Sequence, residues 1–185
     1  MYESVKYWND RFNPNKRNGT NTTEESYLPE FLKGAINILD FGCGVGRTFK
    51  FYKNAVQVFG VDFSENYRQR AIQEAHDQNL NYKHIIHNVH QDPLPLSDRT
   101  IEKGLLLRVL LHAPPGEVET IIKEMGRVCN EVLLISYHGT SKGLSSHCFA
   151  HDYVDLVEKL GFAIKFKEIT KDQIVLIYDS SSSRN

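Results

Sequence analysis

The chain has 185 residues with 41% hydrophobic and 24% charged side chains and a formal net charge of −1. That length suits one domain with one sizeable core, and the composition is that of a soluble globular protein. Lys and Arg are scattered among acids rather than clustered, which argues against nucleic acid as a partner. GLLLRVLLHA is broken by Arg108 and is about half a membrane span, so no membrane role is expected.

The N-terminal MYESVKYWNDRF lacks the apolar run of a leader peptide. Cys43, Cys129 and Cys148 are odd in number and without metal-type spacing, so reduced thiols in a cytoplasm are expected. After the polar NPNKRNGTN, Thr22 with Glu25 reads as a capping box opening a helix through Leu32. INILDF (36–41) is an apolar strand, followed by a short helix from about Gly46 to Lys53. VQVFGVDF (56–63) is the second strand. Ser64 is placed to N-cap a helix in which Tyr67, Ala71 and Ala75 recur four apart. YKHIIHN (82–88) is a third strand and KGLLLRVL (103–110) a fourth.

Pro115 starts a helix with Val118, Ile121, Ile122 and Met125 on one face. EVLLISYH (131–138) is a fifth strand, and Tyr153, Leu156, Val157 and Leu160 repeat helical spacing before Gly161. Alternating strands and helices predict a three-layer α/β domain with a mostly parallel sheet. FAIKFKEIT (162–170) and QIVLIYD (173–179) are separated only by Lys171-Asp172. Two residues cannot hold a crossover helix, so this pair is expected to be an antiparallel hairpin. Apolar throughout, Ile174 to Ile177 suits a strand covered on both faces, so the last strand is expected between the fifth and the sixth.

Chemistry concentrates in DFGCGVGR. A strand running into Gly42, Gly44 and Gly46 is either a tight corner or a turn that offers backbone N–H groups to a ligand. Asp62, ending the second strand, favours the second reading, because a carboxylate there can accept both hydroxyls of a bound ribose. A dinucleotide fingerprint would place a third glycine where Arg47 stands. Asp40 adds a carboxylate at the turn, which suits a ligand with a cationic amino group better than a pyrophosphate.

DFGCGVG resembles motif I, acidic-x-G-x-G-x-G, of the class I S-adenosylmethionine-dependent methyltransferases. The likeness extends over residues 36–179, through VFGVDFSENYRQRA, the PLPLSD loop, VLLHAPP, IIKEMGRV and the closing hairpin. The resemblance implies a Rossmann-like methyltransferase fold, with a seven-stranded sheet of order 3-2-1-4-5-7-6 and its last strand antiparallel. Length and composition lead to the expectation of one domain over 1–179, with 1–33 an N-terminal helical segment and the serine-rich 180–185 a disordered tail. Carried over by position, Gly42 and Gly44 line the methionine and ribose side of S-adenosylmethionine with Asp40 near its amino group, and Cys43 and Gly46 belong to the same cofactor-binding turn. Asp62 holds the ribose hydroxyls, Phe63 packs on the adenine, and Asn88 with Val89 takes its edge, Asp92 being the rival. The family's usual acid after strand 3 is replaced by Asn88.

Methyl transfer needs a general base only when the acceptor must lose a proton. His138 at the end of the fifth strand is the candidate, its alternative being a histidine that merely caps a strand end. Arg108 either points away from a sulfonium or meets an anionic group of the substrate. Tyr7 and Trp8 cover cofactor or substrate, or pack an N-terminal helix. Residues 139–150 form a candidate lid. His147, Cys148 and His151 lack a fourth ligand and zinc spacing, so no metal is expected. The expected activity is methyl transfer to an O or N atom of a small-molecule substrate. The alternative is an S-adenosylmethionine-binding regulatory or scaffold protein without transfer.

Overall fold

The computed structural model describes residues 4–13, 19–86, 93–138, 145, 147–170 and 172–179. The strands are β1 (Asn37–Phe41), β2 (Gln57–Asp62), β3 (Tyr82–Ile86), β4 (Ile101–Leu107), β5 (Cys129–Tyr137), β6 (Ala163–Ile169) and β7 (Gln173–Asp179). They form a seven-stranded sheet of order β3-β2-β1-β4-β5-β7-β6, the Rossmann-like order that the motif resemblance implies. The helices are α1 (Ser4–Arg11), α2 (Thr22–Phe31), α3 (Glu65–Asp77), α4 (Pro115–Val128) and α5 (Tyr153–Lys159). None of them is long and apolar enough to cross a membrane. The residues group into two compact units, 1–88 and 89–185.

In the first unit β1 pairs with β2 and β2 with β3, all parallel. The cap of α2 lies one residue upstream of the Thr22–Glu25 expectation. The Asn21 side chain accepts the Glu24 N–H at 2.8 Å, and the Glu24 carboxylate accepts the Asn21 N–H at 3.1 Å. Glu25 instead faces outward, accepting from Thr20 at 2.6 Å and pairing with Lys50 at 2.9 Å. Helix α3 buries Ala71 and Ala75 as the four-residue spacing predicts.

The helix expected over 46–53 does not form. Gly42, Gly44 and Gly46 have φ of 74°, 54° and 76°, all left-handed, and Gly46 puts that conformation at the first position of the expected helix. Only the 3-10 turn Phe49–Phe51 follows, closed by Phe51 N–H to Thr48 O at 2.9 Å and Tyr52 N–H to Phe49 O at 3.0 Å.

In the second unit β4 runs parallel to β5, while β7 lies antiparallel between β5 and β6. The short connection therefore makes the expected hairpin, held by Thr170 N–H to Gln173 O at 2.8 Å. Ile174, Val175 and Leu176 are all buried, whereas Phe166 and Ile169 on β6 are exposed. Helix α4 begins at Pro115 and buries Val118, Ile121, Ile122 and Met125. Strand β4 stops at Leu107 rather than continuing to 110. Arg108 takes a φ of 57° while its N–H donates to Ile135 O at 2.7 Å, and the 3-10 turn Leu110–His112 follows. Arg127 pins the preceding loop by donating to Leu94 O, Leu96 O and Asp98.

Candidate functional site: the glycine turn and Asp62

The turn after β1 is fastened to the end of β2. The N–H groups of Gly42 and Cys43 both donate to Val61 O, at 2.8 and 3.1 Å. One residue on, Gly44 N–H donates to Asp62 Oδ2 at 3.0 Å. The other carboxylate oxygen, Oδ1, accepts Ser64 N–H at 3.0 Å. Asp62 thus bridges the turns that follow two adjacent parallel strands. Burial raises its carboxyl above the ordinary range, and the N–H groups of Ser64, Gly44 and Phe63 oppose that rise. An ionised carboxylate has about four acceptor positions, so these contacts leave capacity for hydroxyl donors.

The glycines divide by environment. An added Cβ at Gly44 would meet nothing within 4 Å, so the backbone there borders open space. At Gly46 it would meet the Phe49 ring at 2.7 Å, and Gly46 is buried. Gly46 therefore shapes the turn against Phe49, while the backbone at Gly44 faces open space.

Asp40 is walled in beneath the turn at 2% exposure, its Oδ2 accepting from Tyr52 Oη at 2.8 Å and Thr48 Oγ1 at 3.1 Å. Burial pushes its carboxyl up to about 6, against the hydrogen bond from Tyr52 and the charge of Arg47. Arg47, in the position where a dinucleotide fold has glycine, forms an ion pair with Glu24 of α2. That pair ties the N-terminal helical segment to the turn. Cys43 is buried with its Sγ 3.7 Å from Tyr82 Oη, and Tyr82 Oη lies 2.7 Å from His84 Nδ1. Desolvation and the neighbouring carboxylates of Asp62 and Asp40 push the Cys43 thiol well up, so it stays protonated.

Helix α1 packs beside the Asp62 turn. Ser64 Oγ donates to Asn9 Oδ1 at 2.5 Å, in place of the side-chain cap expected of Ser64. Trp8 and Phe12 set their rings edge-on to Tyr67 of α3, with centroids 6.4 and 5.2 Å away. Tyr7 stands edge-on to Trp8 at 5.2 Å, with the Arg11 guanidinium over its ring. Tyr7 and Trp8 of α1 thus belong to an aromatic cluster packed on Tyr67 of α3. Sequence reasoning missed Asn9, Thr48, Tyr52 and Tyr82, since isolated polar or aromatic residues carry no periodic signal.

In the second unit, Arg108 ends β4 in the left-handed conformation and His138 follows β5, its N–H donating to Asp172 O at 3.1 Å. Asn88, Val89 and Asp92 lie outside the described residues, as does most of the 139–150 segment.

Residues 38–131 match the family model for the methyltransferase domain. The chain belongs to that family. S-adenosylmethionine is the cofactor of this methyltransferase domain, and the open backbone at Gly44 beside Asp62 fits it. A curated relative, phosphatidylethanolamine N-methyltransferase of Cereibacter sphaeroides, is 27% identical over 109 residues, 57% of this chain and 53% of that protein. The chain thus matches about half the length of that relative. Among solved structures, an S-adenosylmethionine-dependent methyltransferase from Aquifex aeolicus superposes with a TM-score of 0.68 at 18% identity, covering 96% of this chain and 98% of its own. Magnesium protoporphyrin IX methyltransferase of Synechocystis PCC 6803 with bound SAH gives 0.70 at 17% identity, covering 95% and 94%. At such identities these two share the fold with the present methyltransferase domain.

Proposed function

We propose that the chain, acting as a single methyltransferase domain over residues 1–179, transfers the methyl group of S-adenosylmethionine to an oxygen or nitrogen atom of a small-molecule acceptor. The observation that carries this reading is the Gly44–Asp62 bridge, which fixes a half-buried carboxylate beside open backbone. When bound, the sulfonium supplies an activated methyl group and an excellent leaving group. The residues then have chiefly to bind and orient. Asp62 accepts the ribose hydroxyls through the acceptor capacity that Gly44 and Ser64 leave. Gly42, Cys43 and Gly44 supply the backbone wall, and Phe63 covers the adenine with Asn88 and Val89.

Asp40 serves this wall from below through Thr48 and Tyr52, and its negative charge favours a cationic amino group above the turn. Gly46 keeps the bend that presents Gly44. Tyr7 and Trp8 cover the site from α1. His138 takes a proton where the acceptor must lose one, and Arg108 meets an anionic acceptor group. The named substrate of the Cereibacter relative is an amine, which supports a nitrogen acceptor.

Titration with S-adenosylhomocysteine, followed by labelled-methyl transfer over a panel of amines and hydroxylated acceptors, tests the proposal. Stoichiometric binding with transfer to at least one acceptor is expected. Binding without transfer across the panel would favour the regulatory or scaffold reading, and no binding by folded protein would overturn both.

A further inference from the structure

The second unit gathers three soft donors that sequence spacing keeps apart. His112 ends the 3-10 turn after β4, whereas His147 and Cys148 come from the segment after β5. Phe149 N–H donates to Leu111 O at 2.7 Å and Cys148 N–H to Ser145 O at 2.8 Å, which fastens this segment against the turn. As a result one ligating atom from each of His112, His147 and Cys148 lies within 4.8 Å of the other two. The Cys148 Sγ is 3.7 Å from His112 Nδ1. Sulfur and nitrogen on one tetrahedral zinc ion, at bond lengths of about 2.3 and 2.0 Å, lie about 3.5 Å apart. The imidazole rings of His112 and His147 are stacked 5.3 Å apart and inclined by 10°.

We propose that His112, His147 and Cys148 form a binding site for a borderline-soft divalent cation of the zinc class. Two imidazoles and a thiol exclude the oxygen-seeking magnesium and calcium ions and match zinc, with cobalt as a spectroscopic surrogate. All three residues are half-buried, so the donors are sheltered yet reachable. His151 is not part of the set. Its Nε2 contacts Ala113 O at 2.9 Å and its ring stands edge-on to Tyr153 at 5.6 Å, so it anchors the segment behind the donors. Three protein ligands leave one coordination position for a small donor such as water, as in zinc sites that exchange ligands.

The test uses the full chain, stripped with a chelator and titrated with zinc ion by calorimetry and with cobalt ion by absorption. The wild type is expected to bind one zinc per chain and to show a thiolate-to-cobalt charge-transfer band. Cys148→Ser should abolish the band and weaken zinc binding at least tenfold, and His147→Gln should weaken it similarly. His76→Gln, on the exposed face of α3, should change neither. Absence of stoichiometric zinc binding in the wild type would overturn the proposal, as would unchanged affinity in both ligand variants. The readout is independent of methyl transfer.

Discussion

Gly44 donates its backbone N–H to Asp62 Oδ2 at 3.0 Å, joining the turn after β1 to the carboxylate that ends β2. With Ser64 N–H on the other oxygen, the carboxylate is fixed from both sides before any ligand arrives. A pre-oriented acceptor binds hydroxyl donors without first losing side-chain freedom.

Replacing that carboxylate should separate binding from folding. Asp62→Ala is expected to weaken S-adenosylhomocysteine binding by at least tenfold, since hydrogen bonds to a charged group contribute about 1.5–3 kcal/mol each. Its melting temperature should fall as well, because Gly44 and Ser64 lose their acceptor. Asp62→Asn, with one carbonyl oxygen, should lie between the two. Calorimetry beside a thermal melt reads both effects, and an unchanged affinity in Asp62→Ala would remove Asp62 from the site.

Alanine at Gly44 and at Gly46 should fail in opposite ways. Gly44→Ala meets no neighbour and pays only for its φ of 54°, on the order of 1–2 kcal/mol, but its methyl group enters the open space. Gly46→Ala adds a clash with the Phe49 ring to a φ of 76°. The expected outcome is lost cofactor binding with modest destabilisation for Gly44→Ala, and the larger drop in melting temperature for Gly46→Ala. The reverse ranking of stabilities would contradict the division of roles.

Asp40 sets a pH dependence. Its carboxyl is raised from 3.8 to about 6 in the folded chain, so the fold binds the proton more tightly than the unfolded chain does. The resulting stabilisation is complete below the unfolded value and is lost as pH rises through the folded one. Asp40→Asn removes that loss, at most about 3 kcal/mol for a shift of this size. Urea denaturation between pH 4 and 7 should show a shallower decline in the variant. Asp62, raised in the same direction, keeps some slope in both proteins. Parallel curves would exclude Asp40 as the source.

The Arg47–Glu24 pair holds a fully buried carboxylate. Arg47→Ala strips the guanidinium from it and is expected to cost about 3–5 kcal/mol. Adding Glu24→Gln to Arg47→Ala should recover a large part of the loss, which a double-mutant cycle by chemical denaturation measures. Additive losses would show that the two side chains do not act together.

Much of this was readable from residue order. The two-residue Lys171-Asp172 connection forces the hairpin, and unbroken apolarity at Ile174–Ile177 places β7 inside the sheet. The spacing of Val118, Ile121, Ile122 and Met125 marks the buried face of α4. Other features depend on backbone geometry that letters do not carry. A left-handed Gly46 disrupts the start of the helix expected over 46–53, of which only a 3-10 turn forms, and a left-handed Arg108 follows the early end of β4. The Asn21–Glu24 box and the Thr22–Glu25 alternative have equivalent residue types one position apart, and burial of Glu24 against Arg47 selects the first. His112 approaches His147 across 35 residues only because Phe149 docks on Leu111, a contact with no sequence signature.

The most direct measurement is a calorimetric titration of the intact protein with S-adenosylhomocysteine, run beside Asp62→Ala and Gly44→Ala. One site per chain in the wild type, weakened at least tenfold in both variants while they stay folded, is the expected result. A folded wild type that gives no binding heat and no thermal shift with the ligand, or variants that bind it as tightly as the wild type, would contradict the Gly44–Asp62 cradle.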